Sequence, residues 1–165
     1  MITSTSSSQV KHVVNLQKKA KLRKEEKQFV VEGVKMVSEA PADRLVKVYV
    51  SETFKADNEE FLERMNYDSI GKDVLEIVTD NVFMRMADTQ TPQGIMAVVR
   101  MTDTDLEGIL SDKHNPLLLI IENLQDPGNL GTIVRMAEGA GVTGIIMSSN
   151  TVDIYNPKTI RSTMG

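Results

Sequence analysis

Apolar residues fall at helical spacing from the start of the chain. Val10, Val13, Val14, Gln17 and Lys21 line one face of residues 9–27 and the far side is mostly charged, which predicts a single long helix. A short apolar run, Phe29-Val30-Val31, follows, and Gly33 separates it from a helical stretch at 34–40 that Pro41 ends. Residues 46–50 (VKVYV) alternate as a strand does, and 58–66 read as an amphipathic helix with Asn58 as its N-cap. Residues 74–78 predict a strand, 80–87 a helix opened by an acidic cap, and 95–101 another strand. Such alternation of short units predicts a small α/β sandwich.

The pattern changes after residue 101. Residues 102–116 are acidic and polar, with only Leu106, Ile109 and Leu110 as apolar anchors, and read as a linker carrying a short helix. Leu117-Leu118-Leu119-Ile120-Ile121 has no alternation, as expected of a central parallel strand covered on both faces. A loop at 122–128, a helix at 130–139 and a strand at 144–147 then begin a βαβ unit. A further helix opens with Asn156 as cap and Pro157 at its first position, barely two turns before the last residue. A two-stranded parallel unit does not bury its own faces. Either a neighbouring chain completes it or the sequence is a piece of a longer protein, and the second is the expectation.

Composition narrows the chemistry. The 165 residues contain no Cys, which excludes disulfides, thiolate metal sites and a Cys nucleophile, and only two His, too few for a histidine-based metal cluster. No apolar run approaches the roughly eighteen residues that span a bilayer, and the first residues lack the apolar core of a signal peptide, so the cytoplasm is the default location. The ten Met read as core gap-fillers, Met84, Met86, Met136 and Met164 among them in helical stretches. Residues 4–8 read as a flexible polar terminus or simple cap, His12 as a surface histidine beside lysines, and His114 as an inert linker residue.

The formal charge of −4 is unevenly spread. Residues 1–35 hold eight Lys/Arg against three Glu, whereas the other 130 hold eleven basic and twenty acidic side chains. A basic arm on an acidic chain is one footprint of a polyanion partner, and a solvated lysine-rich helix face is the plainer reading. Only Phe29 is available there for stacking, so any nucleic acid would be held through phosphates.

Two motifs carry candidate chemistry. Gly139-Ala140-Gly141-Val142-Thr143-Gly144 has the form G-x-G-x-x-G, but a helix precedes it and a strand follows, the reverse of a dinucleotide site. It reads as a turn in which Gly139 or Gly141 supplies a left-handed C-cap. The second, ENLQDPGNLGTIVR at 122–135, leaves the carboxyl end of a buried strand and enters a helix, where open α/β sheets bind ligands. An amide at Asn129 and a guanidinium at Arg135, six residues on, can hold a phosphodiester and a nearby hydroxyl. Alternatively Asn129 merely caps the helix and Arg135 pairs with Glu138 at i+3.

At these residues the chain resembles a known family. ENLQDPGNLGTIVRMAEGAGVTGIIM is similar to the first motif of the SpoU (TrmH-type) RNA 2′-O-ribose methyltransferases of the SPOUT superfamily, and NTVDIYNPKTIRSTMG to the family's next segment. Upstream, SQVKHVVNLQKKAKLRKEEKQFVVEGVKMVSEA and TQTPQGIMAVV resemble the family's substrate-binding domain. The resemblance implies a ribosomal-protein-like α/β sandwich at 1–101 that binds RNA substrate, a linker at 102–116, and at 117–165 the first part of a parallel-sheet SPOUT (α/β-knot) domain without its knot segments.

It also implies roles. Asn129 and Arg135 match the family's motif asparagine and catalytic arginine, and Lys18, Lys19, Lys21, Arg23 and Lys24 would contact RNA phosphates. The implied methyl donor is S-adenosyl-L-methionine, with no metal. The complete form would act on rRNA or tRNA, work as a homodimer and need no membrane. Its cofactor positions lie beyond Gly165, so the present chain is expected to bind the donor poorly and to be inactive. Two other functions stay open: a non-catalytic RNA-binding module, and a scaffold in which the basic helix only solubilises the chain.

Overall fold

The computed structural model describes residues 1–67, 71, 73–111 and 115–163, so His114 and Met164 lie outside the described residues. The chain divides into two compact units, Met1–Met101 and Thr102–Gly165.

In the first unit, strands β1 (Gln28–Glu32), β2 (Leu45–Ser51), β3 (Leu75–Val78) and β4 (Ile95–Arg100) form one sheet in the order β1-β4-β2-β3. β4 runs antiparallel to both β1 and β2, and β2 and β3 are parallel. Five consecutive residues of β4, Ile95 to Val99, are buried, so this is the strand covered on both faces. Helices α1 (Ser8–Lys18) and α6 (Asp80–Met86) cover one face, where Val10, Val13, Leu16, Val82, Phe83 and Met86 pack on Val30, Tyr49, Met96 and Val98. Helices α3 (Val34–Glu39) and α4 (Glu52–Asp57) also contact the sheet, through buried Val37 and Phe54. The sandwich expected from the periodicity is present.

Several local expectations need correcting. The helix expected over 9–27 is two helices, α1 and α2 (Ala20–Glu26), broken where Lys19 is extended (φ −116°, ψ 102°). The carbonyls exposed by that break are satisfied by Arg23, whose guanidinium donates to Leu16 O (2.6 Å) and Gln17 O (2.8 Å). His12 is at the surface as expected, and its Nε2, 2.6 Å from Glu26 Oε2, also ties α1 to α2. Asn58 precedes α5 (Glu59–Met65), but its amide donates to Phe54 O at the end of α4 and makes no cap bond. Asp80 is the first residue of α6 rather than its cap, and its carboxylate accepts from the Thr53 amide (3.2 Å) and hydroxyl (2.6 Å). Those bonds, the Thr53 hydroxyl first, hold the Asp80 carboxyl below its ordinary pKa. Residues before α1 are tied down, because Ile2 pairs with Val78 and accepts from Thr79 N (3.1 Å). Of the methionines read as core, Met86 is buried while Met84 and Met136 are 57% and 66% exposed.

The second unit is a βαβ turn with two flanking helices. Strands β5 (Leu118–Ile121) and β6 (Gly144–Met147) pair in parallel, with α8 (Pro127–Gly139) between them. β5 is not covered on both faces as expected: Ile120 is 73% exposed and Ile146 on β6 is exposed too. The short helix of the linker, α7 (Leu106–Leu110), belongs to this unit, since a Cβ on Gly144 would lie 2.8 Å from the Ile109 side chain. The glycine motif is a turn, with Gly141 at φ +72° just past the end of α8. Helix α9 (Pro157–Thr163) opens as expected, Asn156 Oδ1 accepting from Lys158 N (2.9 Å). It lies so close on α8 that a Cβ at Gly131 would sit 2.4 Å from Ser162 Cβ and 2.7 Å from Thr159 O.

Candidate functional site

The loop after β5 turns sharply at Asn123, whose φ of +53° is one that asparagine tolerates better than most residues. The loop after β6 holds it there. Asn123 N donates to Ser148 Oγ (2.9 Å), Val152 N to Leu124 O (2.8 Å), and the Gln125 amide to Asn150 O. Asp126 then caps α8 by accepting from Asn129 N (2.7 Å), and Pro127 occupies the first helical position, where no N–H is needed. The sequence reading missed Ser148 and Asn123 as supports of this loop. An asparagine two residues past a strand, a residue type that tolerates positive φ, was the available signal.

Asn129 therefore does not cap α8. Its backbone is bound by Asp126 and its side chain is exposed. Arg135 is exposed as well, and among the described residues it makes no hydrogen bond or ion pair, so the pairing with Glu138 is not formed. The structure puts both side chains on α8 without bringing them into contact. Helical geometry separates them by about 9 Å along the axis and about 120° around it.

The basic residues divide. Lys18, Lys19, Lys21 and Lys24 are exposed, Lys21 pairing with Glu25 at 3.7 Å. Arg23 is only 2% exposed and holds the α1–α2 break, which corrects its placement on the phosphate-binding face. No group of three or more His, Asp or Glu among the described residues is arranged to hold a metal ion.

S-adenosylmethionine, the donor implied by the resemblance, needs an enclosed pocket with free polar groups. At the carboxyl ends of β5 and β6 polar side chains are already engaged, Ser148 Oγ standing 3.1 Å from Thr151 Oγ1 and the Gln125 amide donating to the Asn150 backbone carbonyl. Beside them the face carrying Ile120 is open. The described residues alone do not fit the donor.

Comparison with known proteins agrees with the family resemblance. Residues 7–97 match the MRM3-like substrate binding domain, and residues 116–165 match the SpoU rRNA Methylase family. The human mitochondrial rRNA methyltransferase 3 is 33% identical over 162 residues, covering 93% of this chain and 36% of that protein. RlmP of Bacillus subtilis, a 23S rRNA guanosine 2′-O-methyltransferase, is 36% identical over 89 residues, 54% of this chain and 34% of its own length. The AdoMet-bound rRNA methyltransferase from Sinorhizobium meliloti has the same fold (TM-score 0.81, 25% identity) over 99% of this chain and 60% of that one. The chain thus spans about a third of these curated relatives and three fifths of that structure. With its substrate-binding unit and its α8 motif both matched, the chain belongs to the SpoU (TrmH-type) RNA methyltransferase family of the SPOUT superfamily.

Proposed function

We propose that this chain is the RNA-binding and arginine-bearing part of an enzyme that methylates a ribose 2′-hydroxyl, with rRNA as its substrate class. The observation that carries the reading is Arg135, exposed and without a partner among the described residues, on the helix that leaves the clamped β5 loop. A guanidinium remains protonated at any working pH and is no general base. Its part is electrostatic. It would hold an RNA phosphate, and its charge would stabilise the 2′-alkoxide as it develops, so that the hydroxyl proton leaves more readily to water. Asn129, with a donor and an acceptor on one amide, would fix the sugar-phosphate beside it. Lys18, Lys19, Lys21 and Lys24 would hold more distant phosphates.

The donor in this proposal is S-adenosylmethionine, the ligand named with the Sinorhizobium neighbour. Because the described residues do not seat it, the chain by itself binds the donor weakly and does not turn over; the active form is a homodimer of the longer protein. Titration calorimetry of this chain showing micromolar donor binding would contradict that. The missing seat also favours a second reading, a non-catalytic RNA-binding module built on residues 1–101. One assay separates the two. Full-length protein incubated with rRNA and labelled donor should yield alkali-resistant dinucleotides carrying the label on ribose. Tight rRNA binding with no transfer would favour the module, and label on a base would overturn the 2′-hydroxyl assignment.

A further inference from the structure

Arg135 shares one side of α8 with two glycines. Gly131 lies four residues before it and Gly128 seven before it, so both stand within about 40° of Arg135 around the helix axis. Helix α9 rests on that same side. A Cβ at Gly131 would overlap Ser162 Cβ and lie 2.7 Å from Thr159 O, and a Cβ at Gly128 would lie 4.0 Å from Ser162 Oγ. One turn beyond Arg135, a Cβ at Gly139 would meet nothing within 4 Å. The close approach is therefore confined to the turns before the arginine.

Side-chain direction gives this contact a consequence. In a helix the Cα–Cβ bond tilts toward the N-terminus, and long side chains take the rotamers that carry them over the preceding turn. For Arg135 that is the turn of Gly131, which offers no side chain and where α9 fills the space. The arginine stem therefore runs beside α9, and its guanidinium is carried back toward the start of α8, where Asn129 and the clamped loop lie. Helix α9 is held in place without help from Arg135. Asn156 Oδ1 accepts from Lys158 N (2.9 Å), and the buried Thr159 hydroxyl donates to Asp153 O (3.3 Å). The loop that leads into α9 also holds the loop before α8, through Val152 N and Asn150 O.

We propose that Gly131 is a positioning residue for Arg135: by having no side chain it lets α9 close on α8 as a wall that directs the guanidinium toward Asn129. The proposal rests on the charge role given to Arg135 above and adds what aims that charge. A side chain at position 131 pushes α9 away, and the arginine stem loses the surface that limits its rotamers.

The test is single-turnover methyl transfer to rRNA by the full-length protein, with donor affinity measured in parallel and folding checked by circular dichroism. Gly131→Ala should slow transfer by about tenfold or more at unchanged donor affinity, because displacing a positioned group by about 1 Å is that costly. Gly139→Ala, where the helix side is open, should transfer at the parent rate. Adding Ser162→Gly to Gly131→Ala removes the overlapped Cβ and should recover part of the loss. In an Arg135→Ala background, Gly131→Ala should cost less than about twofold, since the glycine acts only through the arginine. If Gly131→Ala does not fold, Ser162→Thr, which crowds the same crossing from α9, takes its place with the same expectations. The parent rate in whichever of these two variants is folded, or the same loss in both backgrounds, overturns the proposal. Arg135→Ala at the parent rate overturns instead the charge role beneath it.

Discussion

Arg23 shows how much a single buried cation decides in this chain. Its guanidinium supplies donors to two carbonyls that the break at Lys19 would leave orphaned. Arg23→Ala should therefore lower unfolding stability by about 2–4 kcal/mol in urea titrations, whereas Lys24→Ala should stay within about 0.5 kcal/mol. Equal effects would remove the buried role. In the sequence, Lys21, Arg23 and Lys24 are the same kind of residue in the same run, and only the helix break distinguishes them. Tyr67 is the opposite case, a buried hydroxyl with no hydrogen-bond partner among the described residues. Tyr67→Phe should be neutral or stabilising, because it removes an unsatisfied polar atom. Burial raises the phenols of Tyr67 and Tyr49 to about 12, Glu76 adding to the effect at Tyr49. The folded chain therefore holds these protons more tightly than the unfolded one, whose tyrosines titrate near 10. Their contribution is complete below about pH 10 and is lost as pH rises from there through about 12. Denaturation midpoints measured from pH 9 upward should fall across that window.

At the scale of elements, the motif helix rests on two devices: the pinned loop before it and the close approach of α9. Gly131→Ala would place a Cβ 2.4 Å from Ser162 Cβ and against the Thr159 carbonyl, so α9 must move. Overpacking of this kind costs about 1–3 kcal/mol. Amide exchange over residues 157–163 should accelerate in that variant, and unchanged protection would show that the contact does not hold the helix. Periodicity exposed most elements because it reports burial on one face, as in VKVYV of β2. It failed where burial depends on distant partners. β4 reads like any short apolar strand, yet it lies centrally between β1 and β2, while the more apolar run at 117–121 leaves Ile120 open. Helix α4 was not read from the sequence; its start is set by Ser51 Oγ accepting from Phe54 N. The relation of Asn129 to the cap was not legible, since Asp126 and Asn129 are both good capping residues three positions apart.

For the molecule as a whole, the net charge of −4 conceals basic helices near the start of an otherwise acidic chain, an asymmetry visible in the sequence as a run of lysines. Family membership was legible from ordered motifs in both halves. Central to the proposed function is a charge role for Arg135 on a ribose hydroxyl, and the most direct measurement is single-turnover methyl transfer by the full-length protein carrying Arg135→Lys, with donor affinity measured alongside. A fall in rate of about a hundredfold or more with donor affinity unchanged is the predicted result; transfer at the unsubstituted rate would contradict it.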